Sequence, residues 1–143
     1  MTYVGKFTYH GETQATVLSA PSTWSGSHSY ELFPGGFFVV HRWTDTSGTG
    51  TIENGLEILN YNVKKKVYVA RAYTSLGEED AADFTWVGDS LGFKDAPIAL
   101  NGRKGLERCV GALTRATKTI DCRVSLDGKT WIPESHGVWT RKP

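Results

Sequence analysis

The chain of 143 residues predicts one all-β domain, an up-and-down antiparallel barrel of roughly eight to ten strands spanning residues 1–143. Three observations carry that prediction. Apolar and polar residues alternate at period two along most of the sequence. The 16 Gly and 5 Pro punctuate this alternation at short intervals. Helical periodicity is almost absent: only Leu76-Gly77-Glu78-Glu79-Asp80-Ala81-Ala82-Asp83 offers a turn or two of helix, and an acidic loop accounts for it equally well. A meander of hairpins can close on itself and lose its exposed edges, while a β-sandwich is the alternative way to bury the same strands.

The stretch from Trp24 to Leu32 is the cleanest strand. Trp24, Gly26, His28, Tyr30 and Leu32 share one face, and Ser25, Ser27, Ser29 and Glu31 coat the other. Phe33-Pro34-Gly35-Gly36 breaks it, because proline fixes φ and the glycines permit positive φ. The next strand runs from Phe37 to about Thr44. Both of its faces begin apolar, and the His41/Trp43 face is assigned inward because Arg42 and Thr44 are easier to leave in water. Strands at Gly55–Tyr61 and Val67–Thr74 flank Asn62-Val63-Lys64-Lys65-Lys66, a solvated hairpin tip. Phe84–Val87 and Ser90–Phe93 flank a tight turn at Gly88-Asp89. Leu106–Leu113 and Lys118–Leu126 form the following pair, and Asp127-Gly128 is the strongest signal for a two-residue hairpin. Trp131 and the run Gly137–Arg141 close the chain.

Charge and composition narrow the function. Sixteen Lys+Arg against fifteen Asp+Glu leave +1, which argues against a nucleic-acid partner. No apolar run reaches membrane-spanning length, and Met1–Phe7 lacks a charged segment followed by an apolar one, so a cytoplasmic location without a membrane partner is expected. Cys109 and Cys122 form neither a disulfide scaffold nor a metal motif; a hairpin could set them opposite each other, and a cytoplasmic setting would keep them reduced.

Particular residues carry a resemblance. Tyr30–Val40, with its Pro34-Gly35-Gly36 corner, resembles the glycine-pair signature of a lipocalin-like bacterial family, domain of unknown function fifteen-seventy-nine. Gly55–Tyr68 is similar to that family's block of glycine, apolar strand, lysine turn and Tyr, with Asn62 in place of the usual Asp. Ser125–Trp131 and Trp139–Lys142 resemble its closing hairpin and last strand, so the resemblance covers nearly the whole chain. It implies a lipocalin-like (calycin) barrel whose first strand packs the Trp of a Gly-x-Trp under an Arg from the last, a Trp that Phe replaces in Gly5-Lys6-Phe7. Here those positions hold Phe7 and Arg141, and the resemblance gives them a structural role. It supplies no activity.

The site candidates follow from strand parity. His28 and His41 lie thirteen positions apart on consecutive strands, so both rings can face one lumen, where an imidazole suits acid–base work near neutral pH. Tyr30, Trp43, Tyr73 and Trp86 offer apolar area with a polar edge, which fits a small hydrophobic or aromatic ligand as well as ordinary barrel core. Binding of such a ligand by His28, Tyr30, His41, Trp43, Tyr73 and Trp86 is the leading expectation, with no cofactor and no metal. A cofactor-free isomerase, cyclase or hydratase using His28 or His41 is the alternative, and haem held by one His a further one. A closed barrel acting through its surface as a homodimer is the remaining reading.

Overall fold

The computed structural model describes residues 4–143; Met1 to Tyr3, part of the segment read above for a leader, lie outside the described residues. The strands are β1 (Gly5–Thr13), β2 (Ser22–Leu32), β3 (Phe38–Ser47), β4 (Ile52–Asn62), β5 (Val67–Thr74), β6 (Glu79–Val87), β7 (Ser90–Phe93), β8 (Ala96–Leu100), β9 (Arg103–Leu113), β10 (Thr117–Ser125) and β11 (Ile132–Arg141). Sequential neighbours pair antiparallel except β7 and β8, which both pair β9, and β1 also pairs β11. The ladder therefore closes into a ten-stranded barrel, with β8 lying along β9 as an additional strand. Among the described residues there is no helix.

Period-two alternation sets the inside. Phe7, Tyr30, Val39, Leu59, Ala70, Phe84, Leu91 and Leu113 form the buried core cluster at one end of the barrel. Arg141 closes that end, its guanidinium 4.8 Å from the centre of the Phe7 ring. Its Nη1 donates to the Val4 carbonyl at 2.7 Å and its Nε to that of Arg115 at 2.8 Å. Gly5, at φ +142°, leaves room for it: a Cβ there would sit 2.2 Å from Nη1. At the opposite end the β1–β2 loop folds inward through a Thr16–Ser19 bridge and buries Leu18.

Three local expectations are corrected. The acidic run 76–83 is neither helix nor loop, because after a turn at Leu76-Gly77 the chain enters β6, whose Glu79–Phe84 pair with β5. Asp127-Gly128 does not make a two-residue hairpin; β10 ends at Ser125 and β11 starts at Ile132. In the loop between them the Asp127 carboxylate accepts from the backbone N–H of Lys129 and Thr130, both at 2.7 Å, and so organises a wider connection. Cys109 and Cys122 are not separate thiols: they are direct cross-strand partners on β9 and β10 and form a disulfide.

One span of wall is missing. β7 pairs β6 only over 84–87, and its other edge pairs β9 at Ser90–Gly92. Past Lys94-Asp95 the chain stays with β9 as β8 and leaves β6 behind. Residues 79–82 of β6 consequently pair on the β5 side alone, and the last tie across is Lys94 N–H to the Asp83 carbonyl at 3.0 Å. Asp95 at the departure point is fixed by a bidentate pair with Arg108, at 2.9 and 2.8 Å.

Candidate functional site

Behind the wall gap lies a cavity of about 620 Å³. Phe84, Phe93, Leu59 and Ile120 give it apolar walls, and its polar groups come from a few inward positions. His41 (β3), Glu57 (β4) and Lys118 (β10) reach it from three strands, with Trp139 beside them. Asp80, Asp83 and Glu107 line the side towards the gap.

The polar groups form a buried row across β2, β3 and β4. His28 Nε2 faces the Asp45 carboxylate at 3.1 Å, His28 Nδ1 faces His41 Nε2 at 2.8 Å, and His41 Nδ1 faces Glu57 Oε1 at 3.0 Å. Their order follows from register, since His41 is the Cα partner of Glu57 and sits diagonally from His28 across the β2–β3 ladder. The Trp139 indole N–H donates to His28 Nδ1 at 3.0 Å. That nitrogen is therefore an acceptor, and His28 carries its own proton on Nε2, towards Asp45. His41 Nε2 then donates to His28. Three contacts in the row require three protons, and two neutral imidazoles bring two. A third proton would complete the His41–Glu57 contact at the cavity wall, and burial of the imidazole opposes its uptake. Burial pushes the His41 imidazole down to about 4, against the pull of Glu57 in the other direction. Next to the row, burial with the charges of Asp45 and Glu53 raises the Tyr9 phenol to about 12, which keeps it protonated.

Lys118 is 6% exposed, and its Nζ donates to the Tyr30 hydroxyl at 2.5 Å. The ammonium lies 3.9 Å from the Trp139 ring centre and 4.8 Å from that of Tyr30. Burial pushes Lys118 down to about 7, opposed by the negative charge of Glu57. Tyr30 in turn stacks on His41, with centroids 3.9 Å apart and planes 9° from parallel. The amine, the phenol and the imidazole row thus form one connected group.

A second polar cluster borders the cavity. The Ser19 hydroxyl donates to Glu134 Oε1 at 2.5 Å, and Glu134 Oε2 is buried with no donor assigned to it. Burial first, and then Glu134, raises the Glu107 carboxyl to about 8. A protonated Glu107 supplies the missing hydrogen to Glu134. The folded state then holds a proton that the unfolded chain releases above about 4.5, so this stabilisation is complete below that pH and is lost as pH rises through about 8. Glu107→Gln donates at every pH. Thermal unfolding across pH 4.5 to 8 is expected to show wild type losing stability relative to this variant, and parallel profiles would refute the shared proton. Glu107 also lies within 4.8 Å of the sulfurs of Cys109 and Cys122, but disulfide sulfurs are not the thiolates that a metal needs.

Of the six sequence-predicted residues, the structure gathers four. His28, Tyr30, His41 and Trp43 form one stack of rings, with His41 4.8 Å from Trp43. Only His41 of these lines the cavity. Trp43 leans over Gly55 and donates to Glu53 at 2.8 Å. Tyr73 is corrected: it is 48% exposed on the outer face, since Ala70 and Ala72 hold the inward parity of β5. Arg71 shares that outer face. Trp86 faces inward but away from the cavity, packed against Tyr68 and donating to the Gly88 carbonyl. Sequence reasoning missed Asp45, Glu57, Lys118 and Glu134. Parity was available for the first two, because Asp45 continues the His41/Trp43 face and Glu57 the Gly55/Leu59 face.

No family model matches the chain, and no curated protein sequence matches it. Solved structures do. Over 99% of its length the chain is similar to an S-type phycobiliprotein lyase from Guillardia theta, at 8% identity and a TM-score of 0.64, covering 89% of that chain. It is similar to Rv2717c from M. tuberculosis at 10% identity and a TM-score of 0.63, covering 99% of this chain and 94% of that one. A redesigned β-barrel bound to DFHBI matches at 8% identity and a TM-score of 0.56, with 99% and 100% covered. At these identities the likeness establishes the fold, a closed β-barrel consistent with a lipocalin-like one.

Proposed function

We propose that the protein binds a small, largely apolar or aromatic molecule in the barrel lumen, with its one polar end against Lys118, His41 and Glu57. The observation that carries this reading is the cavity of about 620 Å³ that runs from the wall gap to those buried groups. A core selected only for stability would fill that space with side chains. The apolar walls would supply most of the affinity and the polar end the orientation. The order of the Pro-Gly-Gly corner, the lysine turn and the closing hairpin supports membership of the lipocalin-like family that these motifs resemble. That one similar barrel was solved with DFHBI bound agrees with a lumenal ligand.

The test uses the neutral fluorophore N-phenyl-1-naphthylamine. Wild type is expected to bind it with a rise in emission, and Ala82→Phe, which places a ring in the cavity from β6, to weaken binding at least tenfold, about 1.4 kcal/mol. Tyr73→Ala, on the outer face, is expected to bind as wild type does. Equal binding by Ala82→Phe would remove the lumen as the site.

The proton row favours a second reading, acid–base catalysis by His41 with Glu57 on the bound molecule. Its support is the contact of His41 Nδ1 with Glu57 Oε1 at 3.0 Å on the cavity wall.

A further inference from the structure

We propose that Lys118 is a carbonyl-capturing amine, forming a reversible imine with a small apolar aldehyde held in the cavity. This rests on the lumenal binding reading and adds the chemical class of the ligand. Lys118 is placed for this reaction more than for packing. Its amine is buried among aromatic rings at the cavity wall, where a leucine would satisfy the core without a desolvation cost. The Tyr30 hydroxyl at 2.5 Å sets a proton donor and acceptor directly beside the nitrogen.

The choice of a neutral carbonyl over a carboxylate comes from the entrance. Asp80 stands at the gap and Glu57 beside the amine, so a carboxylate is repelled at both ends of the path, while Lys94 also lines the rim and Lys65 pairs with Asp83 at 3.5 Å. An aldehyde meets none of that repulsion. Burial, which lowers Lys118 to about 7, leaves a substantial share of the amine unprotonated at neutral pH.

The steps balance without an oxidant or reductant. The nitrogen lone pair attacks the carbonyl carbon, a C–N bond forms as the C=O π bond breaks, and a proton passes from nitrogen to oxygen, giving a carbinolamine. The phenol of Tyr30 then protonates the leaving hydroxyl, water departs, and the resulting phenolate takes the last nitrogen proton. The product is the imine and one water. When protonated, the imine keeps the ammonium's place over Trp139, with the negative charge of the Asp45–His28–His41–Glu57 row as its counter-charge.

Cinnamaldehyde with sodium cyanoborohydride tests the inference on the full chain. The expected result is one reduced adduct per protein by intact mass, mapped to Lys118 in the peptide digest. Lys118→Met and Lys118→Arg should lose it, and Tyr30→Phe should form it about a hundredfold more slowly. Displacement of N-phenyl-1-naphthylamine by cinnamaldehyde reports occupancy in parallel. Displacement without an adduct on Lys118 overturns the imine and leaves lumenal binding standing, whereas no displacement and no adduct overturns both. Adducts scattered over surface lysines such as Lys64 and Lys65 also overturn it. Should Lys118→Met fail to fold, the wild-type peptide map decides alone.

Discussion

Replacing His28 with alanine is expected to lower the free energy of unfolding by about 4 kcal/mol. The ring is a hub: it gives Nε2–H to Asp45 and receives hydrogen bonds at Nδ1 from both Trp139 and His41. Its removal strands three groups, and Asp45 and His41 are themselves buried. Each buried group left unsatisfied costs about 1–3 kcal/mol, and water entering the vacated space recovers part of the sum. Urea unfolding followed by tryptophan emission should show a lower midpoint with the slope unchanged. His10→Ala, at an exposed ring bonded only to the exposed Glu12, should change almost nothing. A loss below about 1 kcal/mol for His28→Ala would mean that the row does not act as a unit.

Gly26→Ala is the second large effect, expected to cost about 3 kcal/mol although it adds a single methyl group. Gly26 faces inward between Tyr9 and Asp45. A Cβ there would lie 2.0 Å from the Thr44 carbonyl oxygen, 2.2 Å from Asp45 Oδ1 and 2.8 Å from the Asp45 Cα. Two of those atoms are backbone, so rotating a side chain brings no relief and β2 must move off β3. The carboxylate that His28 needs moves with it. Gly92→Ala, where the new methyl meets only the Thr85 hydroxyl at 3.1 Å, is the matched control and should cost far less. Equal costs at the two positions, by the same urea titration, would show that glycine's backbone freedom matters here and the close approach does not.

The legible part of this protein is what period two controls. Trp24–Leu32 carries one aromatic face and one serine face, and the structure buries His28 and Tyr30 from that face. The choice of the His41/Trp43 face for the next strand also holds. What a window of alternation does not show is where a strand ends. β3 runs on to Ser47, and Asp45, which completes the histidine row, lies one residue past the expected boundary. Nor does local patterning rank a charged residue as interior. Glu57 and Lys118 look like ordinary surface positions until ring closure across ten strands brings them to one cavity. The acidic run 76–83 misled for a related reason: its charge tracks a rim where strand pairing stops, which sequence charge alone reads as a solvated loop.

That interrupted wall also governs how the molecule moves. Residues 79–82 of β6 hang on β5 alone, while β9 and β10 are held by pairing and a covalent link. Local opening therefore begins at the β5–β6 hairpin, and its amides are the ones that trade hydrogen for deuterium earliest. A guest that settles behind it restrains the hairpin from within, so occupancy of the lumen can be followed as slowed exchange at Glu79–Ala82, with no need for the guest to carry a chromophore.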